Sequence, residues 1–202
     1  MTAGSLTVTV TGVALTAGAS PADWRAQLAP EERRRAAETT APAVRARFIA
    51  MRCALRGVLA ARLQCAPAAV PIRLTERGKP YLDGNPFFFS ISYRAGIGLI
   101  AVAERELGLD VELLENAAHI ATASALTFAA DERAAIEHYT DARRRELLLQ
   151  GWTRKESIVK AWGTGMTHPL HSIRTAPGAA EAVNEFDGRR WVTRDLPARG
   201  KP

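Results

Sequence analysis

Leu28-Ala-Pro-Glu-Glu32-Arg33 returns as Phe128-Ala-Ala-Asp-Glu132-Arg133 at an offset of 100 residues. Phe48-x3-Arg52-x3-Arg56 has a counterpart in Trp152-x3-Glu156-x3-Lys160 at an offset of 104, and Ile72-Arg73-x-Thr75 has one in Ile173-Arg174-Thr175. A repeat of half-chain length constrains the fold more than any local pattern, because two copies of one sequence must reach one architecture. It predicts an α+β protein, a pseudo-twofold tandem of two similar α+β subdomains, 1–105 and 106–202, with a ligand in the cleft between them, the place of an active site if the chain is an enzyme. Chance matching of Ala- and Arg-rich helices is the competing explanation, since composition alone produces such matches.

The local patterns fit two cycles of strand and helix. Leu6–Leu15 alternates Thr with Val and Leu, the period of a half-buried strand. Ser20 is expected to cap a helix with Pro21 at its first position, and Ala43–Leu63 to form a long helix with Phe48, Met51, Leu55, Val58, Leu59 and Leu63 at core spacing. Turns at Gly78-Lys79-Pro80 and Asp83-Gly84-Asn85-Pro86 bracket Tyr81-Leu82, and Phe87–Tyr93 and Ile97–Ala103 form a hairpin through Arg94-Ala95-Gly96. The second cycle comprises a strand over Leu107–Leu114, helices over Asp131–Tyr139 and Asp141–Trp162, and strand-like Ser172–Thr175 and Arg190–Arg194. Arg190–Arg194 is expected as a penultimate strand, with no later equivalent of Ile97–Ala103.

Composition narrows the function classes. With 202 residues, 47% of them hydrophobic, the chain can bury a substantial core, and disorder is excluded as its main state. Cys53 and Cys65 are too few for a disulfide scaffold and have no metal-ligand spacing, which suits a reducing compartment. The beginning lacks a basic n-region and the longest apolar run, around Ile97–Ala103, is far shorter than a membrane span, so a cytoplasmic protein with no membrane partner is expected. The net charge is +6, but residues 1–103 hold 13 basic and 6 acidic side chains while 104–202 hold 14 and 15. An anionic partner bound by the first half follows. Of the 27 basic residues, 23 are Arg; the lysines are Lys79, Lys155, Lys160 and Lys201.

Two segments can carry chemistry. In Gly108-Leu109-Asp110-Val111-Glu112 the carboxylates are two residues apart, so on a strand both face one way. A solvated strand face and a divalent-cation site are both consistent with that pattern. Trp152, Glu156 and Lys160 stand at i, i+4 and i+8 of one helical stripe with Lys155 beside it, and Gly163-Thr164-Gly165 ends the helix. A plain Glu-to-Lys surface pair explains Glu156 and Lys160, whereas flanking tryptophans favour a stripe facing a cleft. In an Arg-rich chain, a lysine at 79, 155 and 160 marks places where a compact ammonium among phosphate oxygens is not replaced by a guanidinium.

Taken in order, Gly78-Lys79-Pro80, Phe89-Ser-Ile-Ser-Tyr93, Gly108-Leu-Asp-Val-Glu112, Phe128-x3-Glu132 and Trp152-x2-Lys-Glu-Ser-x2-Lys160-Ala-x-Gly163 resemble the Sfp-type 4′-phosphopantetheinyl transferases over roughly residues 28–175. The resemblance implies a monomeric pseudo-dimer of two α+β halves. It also implies an enzyme that moves the phosphopantetheine arm of coenzyme A to a serine of an apo acyl or peptidyl carrier protein, releasing 3′,5′-ADP. It places Mg²⁺, or Mn²⁺ in its stead, on Asp110, Glu112 and Glu156, with Glu156 also taking the serine proton and Lys160 neutralising the leaving phosphate. Glu132 matches an acid that assists at the metal, or is the solvated first turn of a helix. Arg35, Arg47, Gly78, Lys79, Pro80, Ser92, Tyr93, Asp110, Lys155 and Lys160 fall on positions that bind coenzyme A. Carrier proteins are commonly acidic, which suits a basic partner.

Tyr93 stands where the family usually has a histidine, and Glu32 where a relative has a lysine. A family member of reduced activity is therefore one alternative. A non-enzymatic basic module that binds nucleic acid or an acidic protein is another, although the carboxylates would repel a polyanion and no base-stacking platform is evident.

Overall fold

Val-Thr-Val-Thr-Gly-Val-Ala forms β1 (Val8–Ala14) in the computed structural model, which describes residues 7–16, 20–84, 86–165, 167–186 and 188–197. Leu6, Asn85 and Lys201, each part of an expectation above, lie outside the described residues. The chain divides into two compact units, Met1–Glu106 and Leu107–Pro202. Both mix helices with small antiparallel sheets.

In the first unit, β1 is followed by α1 (Trp24–Gln27), α2 (Pro30–Glu38), α3 (Pro42–Leu63), β2 (Ile72–Leu74), β3 (Pro80–Leu82), β4 (Phe88–Arg94) and β5 (Ile97–Ala103). The main sheet has the order β1-β5-β4, all antiparallel, and β2 pairs with β3. Arg94 pairs with Ile97, leaving Ala95 and Gly96 as a two-residue turn in which both have positive φ, 37° and 92°. That is the turn whose twist matches the strands it joins. Met51, Leu55 and Leu59, one stripe of α3, pack on Phe89, Ile100 and Val102 of the sheet. The other side of α3 holds Ile49 and Cys53 against Leu28 and Ala36. Ser20 caps no helix: its hydroxyl donates to the Ala46 carbonyl at 3.1 Å, and Asp23 precedes α1 instead.

The second unit contains α4 (Ala117–Thr122), α5 (Ser124–Thr127), α6 (Ala130–Glu137), α7 (Asp141–Trp162), β6 (Glu181–Phe186) and β7 (Arg189–Arg194), the last two an antiparallel hairpin. Leu147 and Leu148 of α7 pack with Ile120, Phe128 and Ile136, and Ile158 and Val159 pack with Leu170 and Ile173. Trp152 touches both clusters.

Three expectations for this unit change. Leu107–Leu114 is not a strand: residues 107–113 carry no regular structure, Leu114 opens a 3₁₀ turn (Leu114–Asn116), and Gly108 rests on the backbone of α7. Ser172–Thr175 is not strand-like; it follows a 3₁₀ turn, Leu170–Ser172. The partner of Arg190–Arg194 is β6, which precedes it and which the sequence pattern left unassigned.

Each unit is tied by one buried carboxylate. In the first, Glu32 near the start of α2 accepts from the Ala29 amide at 3.1 Å and from the Arg52 guanidinium of α3 at 2.5 Å. Arg56 also donates to Glu32 and reaches on to the carbonyls of Pro67 at 2.8 Å and Val70 at 3.1 Å. In the second, Glu132 near the start of α6 accepts from the Ala129 amide at 3.0 Å and from Lys155 of α7 at 2.7 Å. Lys155 also donates to the carbonyls of Leu170, at 3.3 Å, and Ile173. The counterpart of Arg56 is therefore Lys155, at an offset of 99, and not Lys160 at 104. Glu156 and Lys160 have no equivalent in this device.

Candidate functional site

Gly108 sets the geometry of the second unit's carboxylates. A Cβ at this residue would lie 1.7 Å from the Ser157 carbonyl oxygen and 2.6 Å from the Ala161 amide nitrogen, so only glycine lets this backbone rest directly on that of α7. Leu109 then turns into the interior. Asp110 faces Lys160, whose ammonium donates to its Oδ1 at 2.5 Å. The Asp110 side chain is 6% exposed and that of Lys160 32%, so the carboxylate is the buried wall of the pair and the ammonium its accessible side.

Glu156 lies one turn before Lys160 on α7 and is half-buried. Burial raises its pKa above the usual carboxylate range, the negative charges of Asp110 and Glu112 raise it further, and Lys160 opposes them. Glu112 accepts a hydrogen bond from the Asn116 amide, a partner not expected from the sequence. The structure thus brings Asp110, Glu112, Glu156 and Lys160 into one electrostatic cluster. Among the described residues, no three His, Cys, Asp or Glu side chains stand close enough to chelate an ion as they are. The chemistry of the donors nevertheless fits a hard dication: three oxygen ligands with a surplus of negative charge, which one ammonium offsets only in part.

Glu132 and Lys155 form a separate pair. Glu132 also accepts from the Thr175 amide at 2.8 Å and the Thr175 hydroxyl at 3.0 Å, and it is not a solvated first-turn acid. The Lys155 ammonium, expected at the coenzyme A phosphates, lies in the interior, 5.4 Å from the Phe128 ring centre, with the side chain fully buried. Burial lowers its pKa, while the hydrogen bond and charge of Glu132 act to raise it. Beside it, Arg154 donates to the Thr175 carbonyl at 3.0 Å and clasps Asp195 with two donors, at 3.0 and 2.8 Å. Thr175 stood out in the sequence only as part of the repeat, and Arg154 not at all, because an arginine in an Arg-rich helix carries no signal.

The candidate nucleotide residues are carried by separate elements of the first unit. Lys79 follows Gly78 in a tight loop, where its amide donates to the Thr75 hydroxyl at 3.0 Å and its carbonyl accepts from the Thr75 amide at 2.9 Å. Its ammonium is 3.7 Å from Glu106, and Pro80 begins β3. Arg35, exposed at the end of α2, lays its guanidinium 4.9 Å from the ring centre of Phe48, and Arg47 is half-buried on α3. Ser92 is buried on β4, while its neighbour Tyr93 is 53% exposed on the opposite face. No helix among the described residues is long and apolar enough to cross a membrane.

The model of the 4′-phosphopantetheinyl transferase superfamily matches residues 106–196, which include the whole carboxylate cluster. A Synechocystis protein named "Putative 4′-phosphopantetheinyl transferase" is 30% identical over 154 residues, which cover 74% of this chain and 63% of that protein. The 4′-phosphopantetheinyl transferase HetI of Nostoc is 31% identical over 180 residues, 86% of this chain and 75% of HetI. A 4′-phosphopantetheinyl transferase of Bacillus subtilis is 28% identical over 108 residues, 53% of this chain and 47% of that enzyme. The chain therefore spans less than two thirds of the Synechocystis and Bacillus relatives.

Proposed function

The chain belongs to the 4′-phosphopantetheinyl transferase superfamily, and from that premise we propose that it transfers the 4′-phosphopantetheine arm of coenzyme A to a serine of an apo acyl or peptidyl carrier protein. The observation that carries this reading is the coupled set of Asp110, Glu112 and Glu156 with Lys160 on α7. A surface ion pair does not account for an aspartate side chain only 6% exposed between a glutamate and a lysine.

In this reading the carrier serine oxygen bonds to the phosphorus that bears pantetheine, and the bond from that phosphorus to the bridging diphosphate oxygen breaks, releasing 3′,5′-ADP. Glu156, one helical turn from Lys160, takes the serine proton directly or through a water. Lys160 neutralises, and can protonate, the phosphate that leaves. Asp110, Glu112 and Glu156 would hold Mg²⁺ or Mn²⁺, which supplies charge neutralisation at the diphosphate. Arg35, Arg47, Lys79 and Ser92 take the nucleotide end, with the backbone of Gly78–Pro80. Glu132 and Lys155 are positioning residues: they fix α6 on α7 and so set where Glu156 and Lys160 stand. Tyr93 offers one hydrogen bond without positive charge, and coenzyme A is expected to bind more weakly than to a relative with histidine there.

Calorimetry with coenzyme A, with and without Mg²⁺, separates this reading from a basic non-enzymatic module. Binding that Mg²⁺ strengthens and Glu156→Ala abolishes supports the transferase. Tight, steeply salt-dependent binding of RNA or DNA, with no coenzyme A binding, supports the module and overturns the transferase.

A further inference from the structure

Three observations about Lys160 point past its part in neutralising the leaving phosphate. First, its ammonium already has a partner, Asp110, at 2.5 Å, and that carboxylate is far more buried than the lysine. Second, Lys160 is the positive charge that offsets the mutual repulsion of Asp110, Glu112 and Glu156 at the half-buried Glu156. Third, the backbone that carries Asp110 is fixed on the helix that carries Glu156 and Lys160. The Gly108 backbone rests on the Ser157 carbonyl and the Ala161 amide, so Asp110 rides on the same stretch of helix that carries Glu156 and Lys160. The four-carbon stem of the lysine lets its ammonium move from one anionic partner to another.

We infer that Lys160 is the resident counter-ion of the metal site: with no dication bound, its ammonium holds Asp110 in place, and it leaves Asp110 for the diphosphate of coenzyme A only when a dication takes over the carboxylates. This rests on the transferase reading above and adds an order to it. Lys160 competes with the metal for Asp110, so it weakens metal binding and yet is required for transfer. Before metal loading, the cation that serves the leaving group is engaged elsewhere. After loading, it is released one helical turn from Glu156, where the diphosphate must lie if that residue serves both metal and serine. The site thereby keeps a cation on the buried Asp110 carboxylate in the empty enzyme, beside two like charges that would otherwise cost stability.

The test measures Mn²⁺ affinity of the full chain without coenzyme A, by the electron paramagnetic resonance signal of the free ion, for wild type, Lys160→Met, Lys160→Arg, Glu156→Ala and Arg145→Gln. Loss of an opposite charge next to a carboxylate changes its affinity for a competing cation by about tenfold or more. Lys160→Met is therefore expected to bind Mn²⁺ about tenfold more tightly than wild type while losing transfer activity. Lys160→Arg stays close to wild type in Mn²⁺ affinity, and Arg145→Gln, which removes an exposed charge earlier on α7, leaves it unchanged. If Lys160→Met proves unstable without metal, its melting temperature must rise more on Mn²⁺ addition than that of wild type. Equal or weaker Mn²⁺ binding by Lys160→Met, with no larger Mn²⁺-induced rise in melting temperature, overturns the inference while the transferase reading stands. Glu156→Ala binding Mn²⁺ like wild type, or wild type binding none, overturns the metal site itself and the inference with it.

Discussion

Lys155 is a positive charge with no access to water, held by Glu132 and by two backbone carbonyls. Removing one member of such a pair leaves an uncompensated buried charge, whose cost is about 3–5 kcal/mol. Glu132→Gln is accordingly expected to lower stability by about that much, read from urea unfolding, with transfer falling in step with the folded fraction. A loss of transfer with unchanged stability would instead place Glu132 at the chemistry. Cys53 makes a second test at this scale. Burial foremost, then the charges of Glu32 and Asp23, pushes its thiol up to about 11 from 9.0, with Arg56 opposing. The folded-state pKa being raised, this contribution to stability is fully present below pH 9.0 and is lost as pH rises through about 11. At pH 8 the native protein should show one rapidly reactive thiol, the exposed Cys65, and a second only after denaturation. Two thiols reacting together in the native state would contradict the buried placement of Cys53.

At the scale of elements, the segment Leu107–Leu113 depends on α7 rather than on a sheet. Gly108→Ala would bring a methyl carbon against the Ser157 carbonyl and the Ala161 amide, neither of which is a flexible side chain. That variant is expected to displace Asp110, so that metal-dependent coenzyme A binding falls more than tenfold and the melting temperature drops. Unchanged binding would mean that the contact does not position Asp110. The same segment shows why its structure was only half legible. Its alternation is genuine, with Leu109 buried and Asp110 facing Lys160, but alternation states a face and not a neighbour. A strand needs a pairing partner, and here Gly108 rests on a helix backbone instead. The hairpin of β4 and β5 was legible because Val, Ile and Phe runs flank a glycine turn. By contrast, β6 reads Glu-Ala-Val-Asn-Glu-Phe, poor in strand formers, and only its pairing with β7 makes it a strand. In the candidate site, the acidic residues and Lys160 were visible in the sequence. The burial of Lys155, which shares its helix and its charge with Lys160, was not, since it comes from the packing of α6 and the Leu170–Ser172 turn.

Across the whole molecule, the buried-carboxylate device occurs once in each unit, with Arg52 and Arg56 around Glu32 and with Lys155 on Glu132. Only the second unit adds Asp110, Glu112, Glu156 and Lys160, and the excess positive charge lies in residues 1–103. The excess of positive charge in the first unit suits a polyanionic partner. The most direct test is the intact mass of apo acyl and peptidyl carrier proteins after incubation with the protein, coenzyme A and Mg²⁺. The account predicts that at least one carrier gains the phosphopantetheine arm, that omission of Mg²⁺ prevents it, and that Glu156→Ala fails to produce it. No gain by any carrier in a panel that a control transferase modifies throughout would contradict it.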